Sequence, residues 1–230
     1  MKKILVVAAH PDDEVLGCGG TIAKLVKEGN EVHVVLAAEG LTSRQVNRNQ
    51  AELKKEFDEL YKKAKDANEH LGVTSLEFLG FPDNRMDSVD LLDIIKKIEI
   101  KLEVFFADVI YTHFPSDLNV DHRLLSEAVL TATRPMPGQG VKKVFFFEVP
   151  SSTDWKFGGS EHLFFSPNVF VNIESTLSQK MRALAHYQSE MRPFPHARSL
   201  ENLENLAKVR GAHVGYRAAE AFILARELVD

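Results

Sequence analysis

Ile4-Leu5-Val6-Val7-Ala8-Ala9-His10-Pro11-Asp12-Asp13-Glu14 runs an apolar segment straight into a histidine and adjacent carboxylates. Ile4 to Ala9 shows no polar alternation, the pattern of a strand buried on both faces of a parallel sheet. Pro11 stops that strand. A helix is predicted from Asp12 to about Lys27, with Val15, Leu16, Ile22, Ala23 and Val26 spaced for one apolar face. The fold class that follows is α/β. His10, Asp12 and Asp13 then lie at the carboxyl end of a strand, where open α/β sheets place their ligand sites.

Imidazole nitrogen and carboxylate oxygen both bind zinc, and a catalytic zinc takes three protein ligands and keeps one position open. His10 and Asp13 supply two ligands in this reading, with Asp12 left beside them as a general base. An acidic first helical turn, favoured by the helix dipole and N-capped by Asp12, accounts for the same carboxylates. It does not account for the histidine that ends the strand.

Working outward, Gly29-Asn30 ends the first helix and Glu31 to Ala38 reads as a second strand, with His33 on a packed or edge face. From Ser43 to about Leu71 a charged, long helix is expected, its inner side marked by Leu53, Phe57, Leu60, Tyr61 and Ala64. Ser75 to Leu79 is a short third strand, followed by the turn residues Pro82-Asp83-Asn84. Arg85 stands out there, because a guanidinium on a loop after a strand can bind an oxyanion or carboxylate bidentately. A helix from Val89 to Phe106 precedes a fourth strand, Asp108 to His113, which again ends on a histidine.

Phe114 to His122 is the second informative stretch. His122, at the start of a helix running to about Thr133, is the candidate third ligand, and Asp121 before it is placed to orient a ring. An acceptor-rich loop and an N-capped helix would explain this stretch alone. Two histidine–carboxylate clusters at the ends of two buried strands favour a site. Val141 to Glu148 is a fifth strand and Val169 to Ile173 a further one. Helices are expected from Ser175, near Leu200 to Val209 and over Ala218 to Val229, with an irregular segment at 192–198 whose role stays open. No linker or repeat divides the chain, so 1–230 is taken as a single domain.

The 230 residues carry a net charge of −5, which gives no basic footprint for nucleic acid or acidic membrane. The one cysteine, Cys18, excludes an intramolecular disulfide and reads as a packing residue. Six apolar residues before His10 are too few for a signal segment or a membrane span, so a cytoplasmic protein without membrane insertion is expected. A homo-oligomer stays open.

With both stretches in view, the sequence resembles the LmbE / PIG-L family of zinc-dependent N-deacetylases. Ala9 to Glu14 matches the family's N-terminal signature without a gap, and Val120-Asp121-His122 matches the end of its second motif. Gly80 to Asp83, Arg210-Gly211 and Ala219 to Phe222 support the likeness. It implies a three-layer, Rossmann-like fold with a mostly parallel sheet and the site at the strands' C-terminal ends. It further implies Zn2+, with Fe2+ as an alternative occupant, on His10, Asp13 and His122; Asp12 as base; and an N-acetylated sugar or sugar conjugate as substrate. Many members carry a histidine where this chain has Asn119, whose amide could still donate to an oxyanion. His113 is the nearest histidine at a strand end and is assigned, with Arg85, to substrate binding.

Two rival readings come from other classes. Gly17-Cys18-Gly19-Gly20 suggests a nucleotide-binding module, but a dinucleotide fingerprint needs its glycines at the strand-to-helix turn, and close helix packing explains these better. Asp12 and Asp13 suggest a magnesium-dependent phosphohydrolase, against which two histidines argue for an imidazole-binding metal.

Overall fold

The computed structural model describes residues 1–44, 53–158 and 163–229. Seven strands form one sheet in the order β3-β2-β1-β4-β5-β7-β6. Strand β1 (Lys3–Ala8) is central, followed in the chain by α1 (Asp13–Lys27), β2 (Glu31–Ala38), α2 (Lys54–Leu71), β3 (Ser75–Phe81), α3 (Leu91–Phe105) and β4 (Val109–His113). Then come α4 (Val120–Ala132), β5 (Lys143–Phe147), β6 (Val169–Asn172), α5 (Leu177–His186), α6 (Leu200–Ala212) and β7 (Ala219–Glu227). Strands β1 to β5 pair in parallel, and β7 runs antiparallel between β5 and β6.

The unbroken apolar run at the N-terminus is explained by this placement. Ile4, Val6 and Ala8 face a core shared with Leu16 and Ile22 of α1, Ala64 and Leu71 of α2 and Leu184 of α5. Leu5, Val7 and Ala9 face a second core with Ile94 and Ile98 of α3 and Leu125 and Val129 of α4. The result is the expected three-layer architecture. The chain leaves β1 for β2 on one side and later returns to β4 on the other, so a crevice opens between the ends of β1 and β4.

Helix α1 is not regular. Cys18 has φ −147° and breaks it. The N–H groups freed beyond the break, Gly20 and Thr21, donate to the Glu220 carboxylate at 2.9 and 2.7 Å. Lys180 donates to Glu220 at 2.6 Å and to the Leu16 carbonyl at 2.8 Å. The glycines beside the break permit close approach: a Cβ on Gly17 would lie 2.3 Å from the Phe147 ring, and one on Gly20 2.8 Å from Ile173. Close helix packing is therefore their role, and Cys18 is buried among them.

Two expectations need correction. Ala218 to Val229 is not a helix: Ala219–Glu227 forms β7, with Phe222 opposite both Phe147 and Val169. Its Ala, Glu, Leu and Arg content favours a helix locally, but insertion between two strands decides otherwise. The long charged helix begins at Lys54 rather than Ser43; Thr42–Arg44 is one 3₁₀ turn, and the expectation for 45–52 lies outside the described residues. Among the described residues no helix is long and apolar enough to cross a membrane.

Candidate active site

Ala9 follows β1 and donates its N–H to His113 Nε2, at the end of β4, at 2.8 Å. The chain then turns sharply. Asp12 takes φ 126°, a conformation that strains a residue with a Cβ, and its N–H is held by the Glu14 carboxylate at 3.1 Å. Glu14 in turn accepts from Tyr187 Oη at 2.7 Å and Asn68 Nδ2 at 2.9 Å. A buried network from α2 and α5 thus fixes the turn that carries His10, Asp12 and Asp13.

Three side-chain atoms converge. Asp13 Oδ2 lies 3.1 Å from His10 Nδ1 and 3.1 Å from His122 Nε2, and the two nitrogens are 3.3 Å apart. Ligands at about 2.0–2.1 Å from a tetrahedral zinc are spaced by about 3.3 Å, so this triangle fits one face of such a centre. Asp13 Oδ1 is buried without a hydrogen-bond partner. Burial opposes charge on Asp13, but the charge of His122 and hydrogen bonds from both imidazoles hold its carboxyl well below the usual range.

The outer nitrogen of His10 is also held, and that of His122 faces a carboxylate. His10 Nε2 meets Asp121 Oδ2 at 3.0 Å and Asp83 Oδ1 at 3.2 Å, which leaves Nδ1 to face the triangle. His122 Nδ1 lies 3.3 Å from Asp117 Oδ1, and Asp117 itself accepts from Ser152 Oγ and Thr153 Oγ1 at 2.6 and 2.7 Å. His10, Asp83 and Asp121 form a second group able to hold a cation. Their carboxylates are already engaged: Asp121 accepts the N–H groups of Asn84 and Met86, and Asp83 that of Ser43. The second group therefore reads as support for the first.

Asp12 stands beside the triangle and is paired with Arg198, whose Nη1 donates to Asp12 Oδ2 at 2.9 Å. Arg198 Nε donates to Ser151 Oγ at 2.8 Å, tying two loops over the site. Burial raises the Asp12 carboxyl well above its ordinary range; Arg198 pulls it back in part, while Asp13 pushes it further up.

Several expected roles change. Asn119 caps α4, its Oδ1 accepting from Asp121 N at 2.8 Å, and its Nδ2 donates one hydrogen bond to Asn84 Oδ1 at 2.7 Å, so the amide positions the loop and has one N–H left over. His113 is fully buried and stacked on His122 at 3.8 Å, with Nε2 filled by Ala9 N–H, so it lies behind the site and does not line a substrate crevice. Burial and the neighbouring His122 lower its basicity well below that of an ordinary imidazole. Asp121 does meet a ring, that of His10. Arg85 sits between Asn84 and Met86, both bonded to Asp121, which places its backbone at the edge of the crevice.

Arg198, Asp117 and Asp83 are the residues that sequence reasoning missed. Asp117 sits in the acceptor-rich loop already singled out, and its offset from His122 by more than one helical turn hid the pairing. Arg198 had one visible signal, a proline-broken segment with two arginines.

The family model described as PIG-L: GlcNAc-PI de-N-acetylase matches residues 5–133, and the chain belongs to that family. It is 28% identical over 191 residues to a probable N-acetyl-alpha-D-glucosaminyl L-malate deacetylase 2 of Bacillus cereus, covering 82% of this chain and 84% of that protein. It is 26% identical over 238 residues to a diacetylchitobiose deacetylase of Thermococcus kodakarensis, covering 96% and 82%. Among solved structures, a 4-carboxy-2-hydroxymuconate hydratase from Pseudomonas putida superposes with TM-score 0.76 at 26% identity, covering 100% of this chain and 98% of that one.

Proposed function

We propose that this chain is a zinc-dependent N-deacetylase that removes the acetyl group from an N-acetylated amino sugar or sugar conjugate. The observation that carries the reading is the triangle of His10 Nδ1, Asp13 Oδ2 and His122 Nε2, with sides of 3.1 to 3.3 Å and a further carboxylate, Asp12, held beside it by Arg198. Two imidazoles and one carboxylate suit zinc, with iron(II) the alternative occupant. Zinc held there supplies a Lewis acid for the amide carbonyl and makes a water molecule more acidic.

Asp12 acts as the base. It takes a proton from the attacking water as the water oxygen bonds to the carbonyl carbon, and its raised basicity suits that task near neutral pH. The C–N bond then breaks, and Asp12 returns the proton to the departing amine, giving acetate and the free amino sugar. Arg198 favours the charged form of Asp12 against burial and holds its position. Arg85, at the edge of the crevice, contacts the substrate.

The likeness to a hydratase motivates one other reading, addition of water across a carbon–carbon double bond by the same carboxylate. Mass spectrometry decides between them. Zinc-loaded protein incubated with a panel of N-acetylated sugars and conjugates is expected to remove one acetyl group from a member of the panel. Inertness toward the panel, with gain of one water by an unsaturated carboxylate, would replace the deacetylase reading.

A further inference from the structure

Hydrolysis of an amide moves a negative charge. As Asp12 takes the proton of the attacking water it becomes neutral, and the charge reappears on the former carbonyl oxygen when the water oxygen bonds to the carbon. A donor fixed within reach of both places follows that charge without rearranging, which is what makes such donors effective. Asn119 and His113 are poorly placed for this. The Asn119 amide is tied to Asn84, whose N–H holds Asp121 against Nε2 of His10, the ring nitrogen that faces away from the triangle. His113 lies behind the site, its Nε2 filled by Ala9 N–H.

Arg198 is placed differently. Its backbone N–H donates to His196 Nδ1 at 3.0 Å, its Nε to Ser151 Oγ at 2.8 Å and its Nη1 to Asp12 Oδ2 at 2.9 Å, so the guanidinium is fixed in its plane before any substrate arrives. Its Nη2 makes no hydrogen bond among the described residues and lies 4.0 Å from Asp13 Oδ1, a buried oxygen that also has none. Both N–H groups of Nη2 and the second of Nη1 are therefore left without an acceptor, on the guanidinium edge that faces the two carboxylates. Burial has not sealed this side chain off: it is 21% exposed.

Resting on the deacetylase reading, we infer that Arg198 is a catalytic residue, whose Nη2 donates to the oxyanion of the tetrahedral intermediate while Nη1 stays on Asp12. One guanidinium then bridges the base and the oxygen that receives the charge the base gives up. When the C–N bond breaks, the oxyanion electron pair re-forms the C=O bond, the C–N pair goes to nitrogen, and nitrogen takes the proton from Asp12. The negative charge is back on Asp12, still beside the same cation.

A guanidinium that only tuned Asp12 would move the acid limb of the pH profile and leave the rate above it intact, whereas an oxyanion donor sets the height of the plateau itself. Zinc-loaded Arg198→Met and Arg198→Lys, checked by metal analysis and thermal melt, are assayed across pH with the N-acetylated sugar that wild type deacetylates fastest. On the plateau, kcat of the methionine variant is expected to fall by about 10²–10³ with KM within about threefold of wild type, and lysine, a charge without the fork, to recover part of the loss. Binding supplies a second readout. The methylphosphonamide of glucosamine, tetrahedral and anionic where the acetamide is planar and neutral, is titrated calorimetrically beside glucosamine. Arg198→Met is expected to bind the phosphonamide about 10²-fold more weakly than wild type does and glucosamine equally well. A wild-type plateau in the methionine variant, or an equal loss of affinity for both ligands, would overturn the proposal and leave the deacetylase reading in place. Wild type that removes acetyl from no N-acetylated sugar would overturn that reading, and this proposal with it.

Discussion

The first fourteen residues and the last forty contribute to the same site in opposite ways. His10, Asp12 and Asp13 are local: a buried strand, one proline and a helix start put them within four positions of each other, and two of the three converging atoms come from this turn. The C-terminal part works at long range. Glu220 caps a break in α1 two hundred residues away in sequence, and Arg198 reaches Asp12 from 186 residues away. Chemistry concentrated in one short motif therefore depends on packing supplied by segments that carry no recognisable chemistry of their own.

The largest expected effect removes the one converging atom that the N-terminal turn does not supply. His122→Ala should lose bound zinc and all measurable activity while the domain stays folded, because the two cores on either side of the sheet do not include the site. Metal analysis together with a thermal melt checks this. Full zinc occupancy in that variant would remove His122 from the centre.

Next comes the long-range half. Glu220→Gln leaves Lys180, 6% exposed at its side chain, without its charge partner and weakens the cap on Gly20 and Thr21. A loss of about 3–5 kcal/mol in urea-unfolding stability is expected, the usual cost of breaking a buried pair from one side. A change below ~1 kcal/mol would show that the β7 cap is incidental to α1.

How much of this was legible follows the same division. Strands β1 to β5 could be read because apolar runs and turn residues are local signals, and the three converging residues because His10 and Asp13 follow the end of such a run and His122 opens a helix after an acceptor-rich loop. Strand β7 could not, since Ala219 to Glu227 has helical composition and is a strand only because β5 and β6 flank it. Asn119 was read as a catalytic amide from its position relative to His122, whereas its hydrogen bonds to Asp121 N and Asn84 Oδ1 make it a cap. Arg198 could not be placed by any periodicity, because a proline-broken loop has none.

Arg198 offers a sharper test of coupling between the halves. Burial already raises the Asp12 carboxyl, and the guanidinium counters part of that rise. Arg198→Met should therefore raise it further, so Asp12 ionises only at higher pH and the acid limb of kcat/KM moves up. At a pH below the limb the rate falls about tenfold for each unit of displacement. Arg198→Lys, which keeps the charge, should restore much of the wild-type profile. An unmoved limb in the methionine variant would make the loop a cover without electrostatic effect.

The smallest effect is expected at Asn119. Removing a cap costs about 1 kcal/mol, so Asn119→Ala should lower stability by that order and leave kcat within the same order of magnitude as wild type. A fall of about 10²–10³ in kcat would instead make the amide an oxyanion donor.

The proposed division of labour within the N-terminal turn, Asp13 on the metal and Asp12 as base, is tested most directly by Asp12→Asn, with zinc content and kcat determined on the same preparation. Zinc content equal to wild type with kcat lower by about 10²–10⁴ is expected. Wild-type turnover, or loss of zinc together with activity, would contradict it.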